Sequence, residues 1–274
     1  MKKYIKYLKY HINFSYRMLT ASKRSLPDFI IVGEAKCGTT SLYNYLENNS
    51  MLNSPIKKEI HYFDYKYSKS ERWYKAHFGI KDRLNNRKTG EATPYYFFHP
   101  KALSRISKDL PNVKILLMVR NPTDRAISSF YNNIRRNLEP LNNFSDAIIR
   151  EEKLLVTTLE KVKSIDFDYN HKYHCYMERG LYSKNYERLL QHFDKKNILV
   201  LEFDEFFSDL ENQYKGVLDF LKLDKNQNIE NKIHNKGSYK EADLAIIKKL
   251  DNYYEQPNNE FYKMIGKKFN WSKD

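Results

Sequence analysis

With 274 residues, 48 Lys and Arg against 34 Asp and Glu and a formal net charge of +14, the chain can enclose one sizeable core and favours anionic partners: nucleotides, acidic glycans, nucleic acid or an anionic membrane. Its two cysteines, Cys37 and Cys175, exclude a disulfide framework and fit a reducing compartment, so a cytoplasmic protein is expected. No run of eighteen apolar residues occurs, and no transmembrane helix is expected.

Residues 1–26 read as a basic extension. The segment Met1-Lys-Lys-Tyr-Ile-Lys-Tyr-Leu-Lys-Tyr10 lacks the continuous apolar core and small-residue cleavage site of a signal peptide. Its reading is a solubilising extension; the alternative is a peripheral membrane-surface helix with Tyr, Ile and Leu on one face. A turn at Pro27 hands over to a single domain over residues 27–274. Asp28–Val32 is predicted to be a strand and Thr39–Asn49 a helix, followed by an irregular stretch rich in Lys, Tyr and Asp. A helix capped by Ser70 is expected over Glu71–Phe78, a short strand over Lys88–Ala92 and a helix over 100–109 with Pro100 near its start.

Val113–Val119 is the clearest central strand. Asn121 and Pro122 then supply a cap and a first-turn proline for a helix running to about Asn137. Helices are expected at 144–163 and Ser183–Phe193, with an irregular aromatic segment at 165–182 between them. A strand at Asn197–Glu202 and helices at 211–222 and 241–255 complete the chain. Helices between all the strands argue for an α/β fold with a parallel sheet covered on both faces, whose ligands sit at the carboxyl ends of the strands.

The first strand leads into Gly33-Glu-Ala-Lys36-Cys37-Gly38-Thr39-Thr40-Ser41-Leu42. Strand, glycine-bearing loop and helix start form a cradle for a phosphate-like anion, because the free N–H groups of the first turn and the helix dipole both point at the bound charge. A nucleotide-triphosphate loop has its lysine directly after the last glycine, followed by a hydroxyl for Mg²⁺; here the lysine stands two positions before Gly38. Lys-x-Gly-Thr-Thr-Ser-Leu after a strand resembles the 5′-phosphosulfate loop of the sulfotransferases that use 3′-phosphoadenosine 5′-phosphosulfate (PAPS). A plain sharp turn is the bland alternative.

Two further segments carry the same resemblance. Arg120 at the end of the central strand, followed eight residues later by Ser128 with Pro122 between them, resembles the 3′-phosphate site of that family; a guanidinium fork and a hydroxyl can hold a phosphate from two sides. The loop His234-Asn-Lys236-Gly237-Ser238-Tyr239 and the tail ending at Trp271 resemble the C-terminal block of the heparan sulfate type, in which a Lys-Gly loop closes over the nucleotide. Ser238 stands where an arginine is frequent.

Lys57-Lys58-Glu59-Ile60-His61-Tyr62-Phe63-Asp64 resembles the Lys-Glu-Pro-His-Phe-Phe element of the glycan sulfotransferases, with Ile60 in place of proline. The resemblance implies the P-loop-like sulfotransferase fold, a PAPS donor with PAP as product, a carbohydrate acceptor and no metal. It also implies roles: Glu59 as general base, His61 orienting Glu59 or touching the sulfo group, and Lys36 neutralising the leaving phosphate. Lys36 to Ser41 would bind the 5′ end; Arg120, Ser128 and residues 236–239 would bind the 3′-phosphate. The chemistry fits those residue types, since an alcohol is a weak nucleophile at neutral pH and the leaving phosphate gathers charge.

Glu91-Ala92-Thr93-Pro94 matches a family element in which Ala92 is commonly lysine, and Glu178-Arg179-Gly180-Leu181-Tyr182 resembles a block lining the acceptor cleft. His171, His174 and Cys175 have no second cluster to complete a metal site. The competing readings are a P-loop kinase or NTPase and a non-enzymatic basic binder of glycan or nucleic acid.

Overall fold

The structure, a computed structural model, describes residues 2–81, 87–224 and 243–271. In chain order its elements are α1 (Lys2–Leu19), β1 (Phe29–Gly33), α2 (Thr39–Glu47), α3 (Glu71–Lys75), β2 (Gly90–Ala92), α4 (Ala102–Asp109), β3 (Lys114–Val119), α5 (Pro122–Arg135) and α6 (Phe144–Ser164). Then come α7 (Tyr169–Tyr173), α8 (Tyr182–Leu190), β4 (Ile198–Glu202), α9 (Phe203–Ser208), α10 (Leu210–Leu221) and α11 (Leu244–Ile265).

The strands form one parallel sheet in the order β2-β1-β3-β4. Side chains alternate across a strand, and here the alternation divides the core in two. Ile30, Val32, Ile115 and Leu117 face a layer holding Leu103 and Ile106 of α4, Leu189 of α8 and Phe261 of α11. Phe29, Ile31, Leu116 and Met118 face Leu42 and Leu46 of α2 and Val217 and Leu218 of α10. With both faces covered, the strands read as continuous apolar runs, as a parallel sheet requires. The α/β arrangement expected from the sequence is the one found.

Local signals worked where capping chemistry was explicit. Ser70 accepts from the Trp73 N–H at the start of α3, although that helix ends at Lys75. Asn121 accepts from the N–H groups of Thr123 and Asp124 at 2.9 and 3.2 Å, with Pro122 in the first turn of α5. The same Asn121 donates to the Trp271 carbonyl at 2.7 Å, and the Trp271 indole donates to Glu202 at 3.1 Å. This ties the end of the chain across the carboxyl ends of β3 and β4.

Three expectations change. The helix expected to stop at 255 runs through Pro257 to Ile265, because Leu250, Tyr254 and Phe261 continue a buried stripe beyond the proline. The irregular segment 165–182 contains α7. The basic extension forms α1, which docks onto the segment around α3: the Phe14 ring lies 6.1 Å from Trp73 and 4.9 Å from His77.

Candidate active site

A cleft of about 750 Å³ opens at the carboxyl ends of the strands. It brings together Lys36, Gly38, Thr39, Thr40 and Ser41 from the first loop, Glu59 and His61 from the irregular stretch, and Arg120 and Ser128 from β3 and α5. Lys236, Gly237, Ser238 and Tyr239 lie outside the described residues. Cys37 is not brought to the cleft. Its side chain is fully buried, its N–H donates to the Glu34 carbonyl at 3.1 Å, and burial pushes its thiol up to about 12.

At the first-loop end, Gly38 caps α2 with φ +86 and no side chain caps the helix, which leaves the first-turn amides for an anion. A Cβ on Gly38 would crowd Phe207, Phe203 and Met118 at 3.0–3.2 Å and would also be strained at this φ. Lys36 is itself left-handed, with φ +73. Its ammonium donates to Asn132 at 3.3 Å, and no carboxylate among the described residues pairs with it. Burial first, then the charges of Arg135 and Arg120, lower its pKa. The Arg120 guanidinium lies 4.6 Å from the Phe203 ring, and its buried Nε finds no partner among the described residues. Partly buried cations crowded together in this way repel one another, and an anion between them relieves that repulsion.

At the other end, His61 adopts φ +60, a strained conformation for a non-glycine residue and one that recurs at working sites. Its Nδ1 lies 2.6 Å from buried Asp64, and its Nε2 lies 3.5 Å from Glu59. Asp64 thereby aims His61 at Glu59, whose side chain remains 45% exposed to the cleft. Burial alone would raise the Glu59 carboxyl, but the hydrogen bond from His61 and the charges of Lys58, His61 and Lys172 hold it below the ordinary range. Burial would lower His61, and its bonds to Asp64 and Glu59 raise it instead.

Glu91 supports this segment from beneath. It is fully buried, accepts from Tyr74 at 2.6 Å and Thr93 at 2.7 Å, and receives the Ile60 N–H at 3.4 Å. The last contact explains what Ile60 contributes in place of proline, which has no N–H to donate. Burial pushes the Glu91 carboxyl up to about 7.

The structure adds residues that the motifs did not single out. Asn132, Arg135 and Arg136 line the cleft with Ser128. Their spacing from Ser128 of four, seven and eight residues, along α5 and onto the residue that ends it, is the one that puts side chains on a single helix face, so this signal was present in the sequence. Lys58 donates to the Thr40 hydroxyl at 2.7 Å, joining the first loop to the Glu59 segment. Lys172 had no local signal. Its ammonium donates to the Tyr65 hydroxyl at 3.1 Å and sits 4.3 Å from the Tyr65 ring, with Tyr173 and Tyr95 at 5.3 and 5.7 Å. Burial lowers its pKa to about 8. Arg179, also in the cleft wall, is spent on a buried pair with Glu34. Among the described residues no cluster of three His, Cys, Asp or Glu is placed to hold a metal ion.

Residues 26–264 match the family model described as a sulfotransferase domain. The chain is similar to the membrane-associated sulfotransferase kil1 of Dictyostelium discoideum, at 25% identity over 90% of this chain and 66% of that one. It is also similar to human heparan sulfate glucosamine 3-O-sulfotransferase 3A1, at 26% identity over 93% of this chain and 64% of that one. It thus spans slightly less than two thirds of the length of these relatives. Among solved structures, a sulfotransferase from Alicyclobacillus acidocaldarius superposes with a TM-score of 0.75 at 25% identity, covering 90% of this chain and 99% of that one.

Proposed function

The chain belongs to the sulfotransferase domain family, and from that premise we propose that it moves the sulfo group of PAPS to a hydroxyl of a carbohydrate acceptor. The observation that carries the reading is that Lys36 and Arg120, from separate strand ends, line one cleft with Glu59. A donor anionic at both ends fits such a cleft, with its 5′-phosphosulfate on the amides of Gly38 to Ser41 and its 3′-phosphate against Arg120 and Ser128.

The acceptor hydroxyl approaches from the Glu59 side. Its oxygen attacks sulfur in line with the bond to the 5′-phosphate, its proton passes to the Glu59 carboxylate, and PAP departs. A carboxylate held below its ordinary pKa is ionised at neutral pH and ready to take that proton. His61, fixed by Asp64, keeps Glu59 aimed. Lys36 meets the charge that grows on the leaving phosphate, so positioning and fixed charge supply the catalysis without a divalent ion. A carbohydrate acceptor is favoured by the Glu–x–His element and by the heparan sulfate enzyme among the relatives.

We also place the protein in the cytoplasm, on its two unpaired cysteines, with the basic N-terminal segment as a peripheral contact to membrane. A P-loop kinase reading meets a loop whose lysine precedes the glycine, and a nucleic-acid binder has no use for the His61–Asp64 pair.

The test is transfer of a labelled sulfo group from PAPS to an oligosaccharide acceptor by the wild-type protein without divalent metal. Transfer that needs Mg²⁺ and ATP instead would overturn the reading.

A further inference from the structure

The transfer reaction makes no use of α1, yet this helix has two differently built faces. One is docked. Phe14 packs on Trp73 and His77, and the Arg17 guanidinium donates to the Ala76 and Phe78 carbonyls, each at 2.6 Å. Arg72 in turn donates to the Met18 carbonyl at 3.2 Å. The Ala76 and Phe78 carbonyls lie just past the end of α3, so Arg17 satisfies backbone acceptors in the turn that follows that helix.

The other face is bare and apolar. Ile12, Tyr16 and Leu19 are 63, 60 and 75% exposed. Spaced four and then three residues apart, they form one stripe, rotated well away from Phe14 and Arg17. In the sequence the same spacing runs back through Leu8 and Ile5. Packing on the domain therefore accounts for the Phe14–Arg17 face and not for the stripe.

Charge decides what covers it. From Met1 to Pro27 the chain holds Lys2, Lys3, Lys6, Lys9, Arg17, Lys23 and Arg24 and no Asp or Glu. Pairing two copies through the stripe would bring two such cationic segments together, and like charge opposes that contact. An anionic lipid surface supplies the opposite sign. It also suits the composition, because tyrosine and leucine settle at the headgroup–acyl boundary while lysine stems reach the phosphates.

We propose that α1 is a membrane-surface docking helix, lying in the plane of an anionic bilayer with Ile12, Tyr16 and Leu19 in the headgroup–acyl boundary and the Phe14–Arg17 face holding the domain to it. The proposal specifies how the N-terminal segment makes its peripheral membrane contact and does not depend on the sulfo-transfer reading.

Vesicle flotation with the full chain tests it, using phosphatidylcholine alone or with ~30 mol% phosphatidylserine. Binding to the phosphatidylserine vesicles is expected at least about tenfold above binding to the neutral ones, weakening with added salt. The double variant Ile12→Ser, Leu19→Ser should lose about tenfold or more of that binding, with its melting temperature unchanged because neither side chain is buried. Absence of binding to anionic vesicles, equal binding to neutral ones, or a double variant that floats like wild type would overturn the proposal. So would concentration-dependent dimerisation, seen by sedimentation velocity, that the double variant abolishes.

Discussion

At the Lys36–Arg120 end of the cleft, Lys36 and Arg120 follow strand ends, each two residues before a glycine or proline that fixes the backbone, and the face of α5 adds Ser128, Asn132 and Arg135. Gly38 turns the first loop into α2, and Pro122 starts α5 directly after Arg120. At the Glu59–Lys172 end no strand end or long helix carries the acid–base pair. Glu59 and His61 ride on an irregular stretch held by the buried Asp64 and Glu91, and Lys172 arrives from α7, more than a hundred residues further on, in a setting of aromatic rings. The first end is a backbone cradle with cations added. The second is a side-chain assembly whose protonation states are set by burial working against neighbouring charges and hydrogen bonds. An anion-binding task can be met by local geometry, whereas an acid–base task needs distant groups to tune one another.

This contrast predicts that lesions at the two ends fail differently. The largest effect is expected for Glu59→Gln, which should cut kcat by about 10²–10⁴-fold, the usual worth of a general base, while leaving PAP affinity unchanged. Single-turnover transfer with titration calorimetry separates the two quantities. Equal turnover in the variant would remove Glu59 from the role of base.

Lys172 sharpens the comparison through pH. Its charge is present below about 8 and lost above it, whereas Glu59, held low, stays ionised throughout the neutral range. Transfer to an anionic acceptor is therefore expected to fall as pH rises through about 8. Lys172→Gln should abolish that alkaline limb and raise the acceptor KM roughly threefold to tenfold, and Lys172→Arg should shift the limb to higher pH. A kcat/KM profile whose alkaline limb is the same in all three proteins would contradict this assignment.

The smallest effect concerns stability. The folded state holds the proton on Glu91 up to about pH 7, while the unfolded chain releases it near the ordinary carboxylate pKa. The folded state thus binds more protons between those limits. The stability gained from Glu91 is complete below the unfolded pKa and is lost as pH climbs to about 7, by at most about 3 kcal/mol. Urea midpoints across that interval should fall with rising pH in wild type and flatten in Glu91→Gln; an unchanged slope would count against a protonated Glu91.

How much was legible follows the same division. The Lys36–Ser41 loop, the Asn121–Pro122 start and the buried strands announce themselves because period, cap and glycine act over a few residues. Arg135 and Arg136 were readable from their helical spacing to Ser128 but fell outside the motif. Lys172 was not readable, since its role depends on Tyr65 and Tyr95 being folded around it. The apolar continuation of α11 outweighed the stop signal of Pro257 for the same reason: burial of Phe261 is a tertiary fact.

The central claim is that one cleft holds a doubly anionic nucleotide at both ends without a metal. Titration calorimetry of PAP and of AMP into wild type and Arg120→Ala, with no divalent ion present, addresses it most directly. Wild type should bind PAP well above AMP. Arg120→Ala should erase most of that advantage, a loss of about 10–100-fold for a charge-assisted contact, and leave AMP almost unaffected. PAP binding that is indifferent to Arg120, or no stronger than that of AMP, would contradict the account.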